Sequence, residues 1–534
     1  MTGIKPLTLA ENYWDSLQIE NEDLDLLYNH LLEIETPQTP HELIRALINF
    51  RIQREKKLLE LKQSSNTCDV YIPKNNYEIG MELCFPALDW SKGKVIGSRK
   101  GSNPEFDPFD VISVRLENGA VKEFACGVEN HSLNMPIPVQ LDDPLLDPAY
   151  VLKKYGKILS VRLLDLLESN PDIVQIAGRW FPRALLVDIN LGHLNLAEAL
   201  LEEANGGPLT TNKIIQEIDL PTDVNPKLTE FSLNLALQED TRFDEIGASG
   251  EILWFLHRLE PDEVQSEHPM LRYFPIDYHQ SNNIQKYLPA FDTASYDELS
   301  PELANDDEEV NQVTVTLIYP HWRAGTIPLT RRLERLFPTA YESPRVLFTF
   351  VDNTNKNRFS GWVVRPHKYV FGLKDWYDAN NLFPGCQITL SRGEPGEIII
   401  SLGKKHPTRE WVRTLLVGAD GGLVYAMLKQ QVYANFDERM AIAITDTTRL
   451  DELWNQTNSN RNNLDTIVRN SMIQLSKLSP QGHVHAQELY AVVNLVRRCP
   501  PGPILDVLFN RPWSVHLGDL YFRYQPEVAA EEQT

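Results

Sequence analysis

The chain has 534 residues, room for three or four domains, and its 42 % apolar and 23 % charged content excludes a fibre or a disordered polymer. No apolar run approaches the roughly 18 to 20 residues that span a bilayer, and Met1 to Ala10 lacks the basic-then-apolar layout of a secretory signal. Its 51 basic and 74 acidic residues give a net charge of −23, which by itself speaks against nucleic acid, because Lys and Arg must replace counterions at phosphates. The charge is uneven. Trp322 to Leu415 carries 15 Lys and Arg against 8 Asp and Glu, whereas Glu260 to Val310 carries 13 acids and 2 bases. A basic module thus follows an acidic tether. Five scattered cysteines, an odd number with no C-x-x-C pair, argue against a disulfide framework or a thiolate zinc site and for a reducing cytoplasm.

In chain order, residues 1–70 read as a helical, helix-turn-helix-like segment. Leu24, Leu27, Tyr28, Leu31 and Leu32 recur on one helix face. Thr39-Pro40-His41-Glu42 has the form of a capping box, and Arg45, Arg51, Arg54, Lys56 and Lys57 on the next helix read as a solvated face. Residues 71–140 change to strand periodicity, with Asn118-Gly119 as a hairpin signal, and predict a small antiparallel barrel of the Src-homology type. An internal repeat follows. Leu167, Leu237 and Leu508 each end an apolar helix, and each stands nine positions before an apolar residue (Ile176, Ile246, Leu517) that leads into a glycine turn and an aromatic pair. Helices followed by such a hairpin predict winged-helix modules at 148–186, 192–258 and 464–524, with residues 260–311 as an acidic linker and 312–455 as a basic β-module. The fold class expected is α+β multidomain.

Two family resemblances attach to these residues. His483-Val484-His485-Ala486-Gln487-Glu488-Leu489-Tyr490, with the following helix, Pro-rich turn and wing, is similar to the HARE-HTH group of winged helices, found in the delta subunit of bacterial RNA polymerase and in chromatin- and restriction-associated proteins. Glu488 and Leu489 match that pattern at the start of the second helix. The basic segment, from Thr326-Ile327-Pro328-Leu329 through the strands near Val346 and Gly361 to Leu382-Phe383-Pro384-Gly385, resembles the B-three pseudobarrel of plant transcription factors and restriction-enzyme recognition domains. That resemblance implies DNA contact through strand-edge arms. It would set Arg358, Arg365 and Lys368 near the arms or flanking loops, and Arg331, Arg332 and Arg335 on a helix facing the backbone; Lys374 belongs to the same basic set. Arg and Lys neutralise phosphates and Arg reads guanine bidentately, and Asn353, Asn355 and Asn357 offer hydrogen bonds to bases. Trp362, Trp376 and Tyr377 read as core.

No catalytic constellation survives a check of spacing: there is no phosphate loop, H-E-x-x-H, G-x-S-x-G elbow or Rossmann fingerprint. Gly418 to Gly422 reads as a tight turn between a strand and a helix near Tyr425 to Gln430. Pro171-Asp172 is half of a nuclease motif without its Glu-x-Lys. The two histidines His483 and His485, with no third ligand near, read as polar positions at a helix start. The expected function is a bacterial, cytoplasmic, non-catalytic DNA-binding regulator. It needs no cofactor, metal or membrane, and its partners are double-stranded DNA and transcription proteins such as RNA polymerase. The helix Lys227 to Leu237 offers too little positive charge for a DNA reader and points to a protein partner. The acidic tether is expected to cover the basic surface when DNA is absent. The alternatives are an RNA-polymerase-associated interaction scaffold and the recognition subunit of a restriction or defence system.

Overall fold

Thr39 N–H donates to Glu42 Oε2 (2.8 Å) and Glu42 N–H to Thr39 Oγ1 (3.3 Å), so the expected capping box starts the helix Pro40–Ser64. The structure, a computed structural model, describes residues 9, 12–64, 69–85, 88, 91–102, 108–129, 131, 134, 144–218, 220, 224–248, 250–295, 297–301, 310–403, 406–418, 422–459 and 463–526. The chain is mixed α and β and divides into two compact units, residues 1–187 with 222–231 and residues 188–221 with 232–534. No described helix is long and apolar enough to cross a membrane.

In the first unit the helix Asn21–Ile34 buries Leu24, Leu27 and Leu31, and its Asp23 meets Arg51 of the next helix in a buried ion pair, with Nε 2.6 Å from Oδ1. Arg51 therefore leaves the solvated face on which the sequence set it. The helix Pro148–Glu168 packs on Pro40–Ser64 and runs into the hairpin Ile173–Ile176 and Arg179–Pro182, whose turn holds Ala177 and Gly178 at φ 51° and 67°. Gln38 and Trp180 exchange backbone hydrogen bonds of 3.1 and 2.8 Å. The segment 148–186 thus has one α-helix of its own, and its companion helices come from residues 21–64. Between these two parts lies a sheet of five strands in sequential order: Asp69–Val70, Glu82–Phe85, Ser91–Lys100, Asp110–Leu116 and Val121–Cys126. Its first pair is parallel and the rest antiparallel. The Asn118-Gly119 turn forms as expected, with Gly119 at φ 80°. Cys84 is disulfide-bonded, while Cys126, Cys386 and Cys499 are free and buried. The cysteine pattern therefore excludes disulfide chemistry no longer, and the inference to a reducing compartment loses its basis.

Two segments of the chain share one order of elements. In residues 191–256 the helix Leu191–Glu203, strand Leu209–Thr210, helices Thr211–Glu217 and Pro226–Glu239, and hairpin Phe243–Glu245 and Leu253–Leu256 follow one another, and the first strand pairs with the last. In residues 464–524 the order is Leu464–Ser476, His483–His485, Ala486–Val493, Pro501–Asn510, Ser514–Gly518 and Tyr521–Tyr524, and again the first strand pairs with the last. The bridge between Gln38 and Trp180 stands at the same topological place in the first unit. His485 caps its helix as a neutral acceptor, Nδ1 taking the Gln487 N–H at 3.2 Å, and burial with the nearby Arg439 pushes its pKa down to about 4.

Between these segments lies a nearly closed, barrel-like sheet of seven strands, β1 (Gln312–Thr316), β2 (Thr326–Pro328), β3 (Arg345–Asp352), β4 (Arg358–Val364), β5 (Tyr369–Phe371), β6 (Gln387–Arg392) and β7 (Glu397–Ser401). They are ordered β1-β6-β7-β3-β4-β5-β2, with only β3 and β7 parallel. Val315, Ile327, Phe350, Val363, Ile388 and Ile400 fill its inside. Beyond it Thr408–Val417 and Leu423–Val432 pair over ten residues, so the helix expected near Tyr425 to Gln430 is a strand; residues 419–421 of that turn lie outside the described residues. Cross-strand pairing overrides the helix propensity of Ala426, Met427, Leu428 and Lys429.

The segment expected to be an acidic linker contributes buried structure up to Leu299. Met270, Ile284 and Leu288 join the core of the C-terminal segment. Asp297 and Glu298 are buried against Arg498: Nη2 lies 2.8 Å from Asp297 Oδ1 and 2.8 Å from Glu298 Oε1, and Tyr490 donates to Asp297 Oδ2. On its other side Glu298 Oε2 stands 3.2 Å from His321 Nε2, and His321 Nδ1 lies 2.8 Å from Thr326 Oγ1 on β2. Residues 302–309, with Asp306, Asp307, Glu308 and Glu309, lie outside the described residues, and with them the expectation that the tether covers the basic surface.

Two outcomes follow from this network. Arg498→Met strands two buried carboxylates and is expected to cost the second unit about 3–5 kcal/mol in urea unfolding. Burial opposes ionisation of Glu298, but Arg498 and His321 outweigh it and hold its carboxyl well below the usual range. A depressed acid stabilises the fold above its unfolded pKa and loses that contribution as pH falls towards the folded one. Stability should therefore drop on acidification below about pH 4.5, and Glu298→Gln should shrink that drop; an unchanged acid limb in thermal melts would contradict it.

Candidate nucleic-acid interface

The seven cations singled out in the sequence separate along the strands of the barrel. Pro328 pairs with Tyr369, and Leu329 N–H donates to the Lys368 carbonyl at 2.8 Å, so the chain leaving β2 passes beside the turn between β4 and β5. That brings Arg331, Arg332 and Arg335, in and just after the short helix Arg331–Glu334, to the same end of the sheet as Arg365 and Lys368. Arg358 starts β4, opposite Val351, and six residues at about 3.4 Å each put it roughly 20 Å from the Val364 end. Lys374 follows β5, whose Phe371 pairs with Trp362, and lies against Gly325 at the start of β2. Five of the seven therefore share one end and two belong to the other.

Their partners differ as well. Arg358 is 65 % exposed and sits 2.9 Å from Glu397. Lys374 Nζ binds Asp378 Oδ1 at 2.8 Å and lies over the Trp322 ring. Arg365 is half-buried, which pulls its pKa down, and its Nη2 donates to the Pro338 carbonyl at 2.7 Å. It braces the loop before β3 more than it faces solvent. Lys368 is exposed, with left-handed backbone at φ 54° that carries its side chain clear of the sheet. Arg331 is exposed, and Arg332 and Arg335 are partly so.

The sequence reading missed Arg392. At the end of β6, its Nη2 donates to the Arg335 carbonyl at 2.6 Å, which adds a sixth cation to the crowded end. Its only trace in the sequence is its place after the alternating run Gln387 to Ser391, and no pattern announces which end of a barrel a strand terminus will reach. The asparagine turn goes to the opposite end, beside Arg358. There Asn353 Oδ1 accepts from Lys356 Nζ (3.0 Å) and Asn355 Oδ1 from Asn357 N–H (2.9 Å), so both are occupied in shaping the turn. Trp362, Trp376 and Tyr377 are buried. Trp376 Nε1 donates to Asp352 Oδ2 at 2.9 Å and Tyr377 to the Thr326 carbonyl at 2.9 Å, which leaves no ring face for a base to stack on.

Because most of the Arg358 side chain stays in water, its ion pair is of the weak exposed kind. Arg358→Ala is expected to change stability by no more than about 1 kcal/mol, as read by urea unfolding. Comparison with protein-family models, with curated proteins and with solved structures finds no match for this chain.

Proposed function

We propose that the protein is a non-catalytic, DNA-binding regulator in which one end of a B-three-like barrel docks on duplex DNA. The observation that carries this reading is the convergence of Arg331, Arg332, Arg335, Arg365, Lys368 and Arg392 at that end, from three separate stretches of chain. A cation cluster on a strongly anionic molecule raises self-repulsion nowhere else and attracts a polyanion locally. The segments 191–256 and 464–524, with the order helix, strand, helix, helix, hairpin, and with first strand against last, support the winged-helix reading. The former, with 3 Lys and Arg against 12 Asp and Glu in residues 191–256, is a partner-binding module, with transcription proteins such as RNA polymerase as the class of partner.

The test is a fluorescence-anisotropy titration of the full chain with duplex DNA at several salt concentrations. Log affinity should fall linearly with log salt, by about 0.9 per phosphate contacted. Changing Arg331, Arg332 and Arg335 together to Gln should flatten the slope by one or more contacts, whereas Arg358→Ala with Lys374→Ala should leave it unaltered. Absence of binding near physiological salt would refute the reading. One observation favours a second reading, an interaction scaffold: the paired strands 408–417 and 423–432 expose Leu416, Val424 and Leu428 on one face, an apolar group of the kind that marks protein contacts. A scaffold would bind no DNA in the same titration.

A further inference from the structure

A second cluster lies away from the cation-rich loops and involves none of the residues assigned to DNA. Asp244 belongs to the hairpin strand Phe243–Glu245, and Phe255 of the partner strand pairs with it. That partner strand runs straight into a single 3-10 turn, His257–Leu259, closed by Glu260 N–H donating to the His257 carbonyl at 3.3 Å. Side chains three apart in such a turn eclipse one another, so His257 and Glu260 stand side by side, with Nδ1 3.2 Å from Oε2. The hairpin register then sets both against Asp244. One ligand atom from each of the three residues falls within 4.8 Å of the others.

Arg345, at the start of β3, lies 2.7 Å from Asp244 Oδ2 and 3.4 Å from Glu260 Oε2, one guanidinium serving two carboxyls. Glu260 is only 4 % exposed. Its Oε1 and the Nε of Arg345 are shut off from solvent without a hydrogen bond, so the guanidinium covers the site incompletely. A buried carboxylate oxygen with nothing to accept from is costly to keep. A cation seated against the orphaned Glu260 Oε1 would remove that deficit. His257 keeps 39 % of its side chain exposed, which opens the cluster to entry from water on that side.

We propose that Asp244, His257 and Glu260 form a binding site for one first-row divalent cation of the zinc or manganese class. One imidazole nitrogen and two carboxylate oxygens suit those ions, whereas calcium asks for six to eight oxygens. Ligand atoms about 2.1 Å from a shared ion stand about 3.4 Å apart, so the three side chains draw together as Arg345 gives up part of its hold. Three protein ligands leave a further coordination position, and the exposed side of His257 supplies it with water.

The experiment strips the full chain with a chelator, dialyses it, and titrates it with Zn²⁺ and separately with Mn²⁺ by calorimetry. One equivalent should bind, with affinity reduced at least about tenfold in His257→Ala and in Glu260→Gln, losses at or above those seen when a mere orienting partner is removed. His257→Ala alters a half-exposed side chain, and circular dichroism checks that its fold is kept. X-ray absorption of the zinc-loaded wild-type chain provides a readout without any variant and should show a single imidazole among oxygen ligands. No bound equivalent, unchanged affinity in both variants, or two or more imidazoles on the ion would overturn the proposal.

Discussion

One buried guanidinium holds the second unit together. Arg498 reaches both Asp297 and Glu298, each of these side chains buried, and Glu298 passes the contact on to His321 and so to Thr326 of β2. The chain between residues 260 and 300 is thereby tied at one point to the C-terminal segment and the barrel. Such a cluster is costly to assemble, because each charge leaves water, and it is stable only because nearly every lone pair finds a donor. Its consequence is directional. The strap has one place to sit, and Met270, Ile284 and Leu288 are drawn into the core of the C-terminal segment with it.

The same rule, that buried charge must be met, separates the functional candidates. At the crowded end of the barrel Arg365 leans on the Pro338 carbonyl and Arg392 on the Arg335 carbonyl. These contacts fix a side chain without cancelling its charge. At the opposite end Arg358 and Lys374 face carboxylates, and their charge is spent locally. In the Asp244 cluster a single Arg345 meets two acids.

Much of the local structure was legible in advance, for reasons that lie within a few residues of chain. The Thr39 to Glu42 box, the Asn118-Gly119 turn and the apolar stripe through Leu24, Leu27 and Leu31 each depend on side chains that meet within one turn or one hairpin. The repeat of leucine, apolar residue and glycine marked three hairpins, and all three are present. What failed were statements about long-range partners. Arg51 looked like a surface residue because Asp23, which buries it, lies 28 positions away. Leu423–Val432 looked helical because its composition is, until ten cross-strand pairs with Thr408–Val417 decide otherwise.

By itself, the order of residues determined the elements, their periods and caps, the uneven charge and the repeated helix-to-hairpin design, since all of these are set by neighbours along the chain. Only the tertiary structure decided that residues 21–64 complete the segment 148–186, that Asp297 and Glu298 are buried struts instead of a solvated tether, and that five of seven cations share an end while two do not. The physical reason is the same in each case. Which charges meet depends on strand register and on contacts between residues as much as two hundred positions apart, as Asp297 and Arg498 are, and no local pattern carries that pairing.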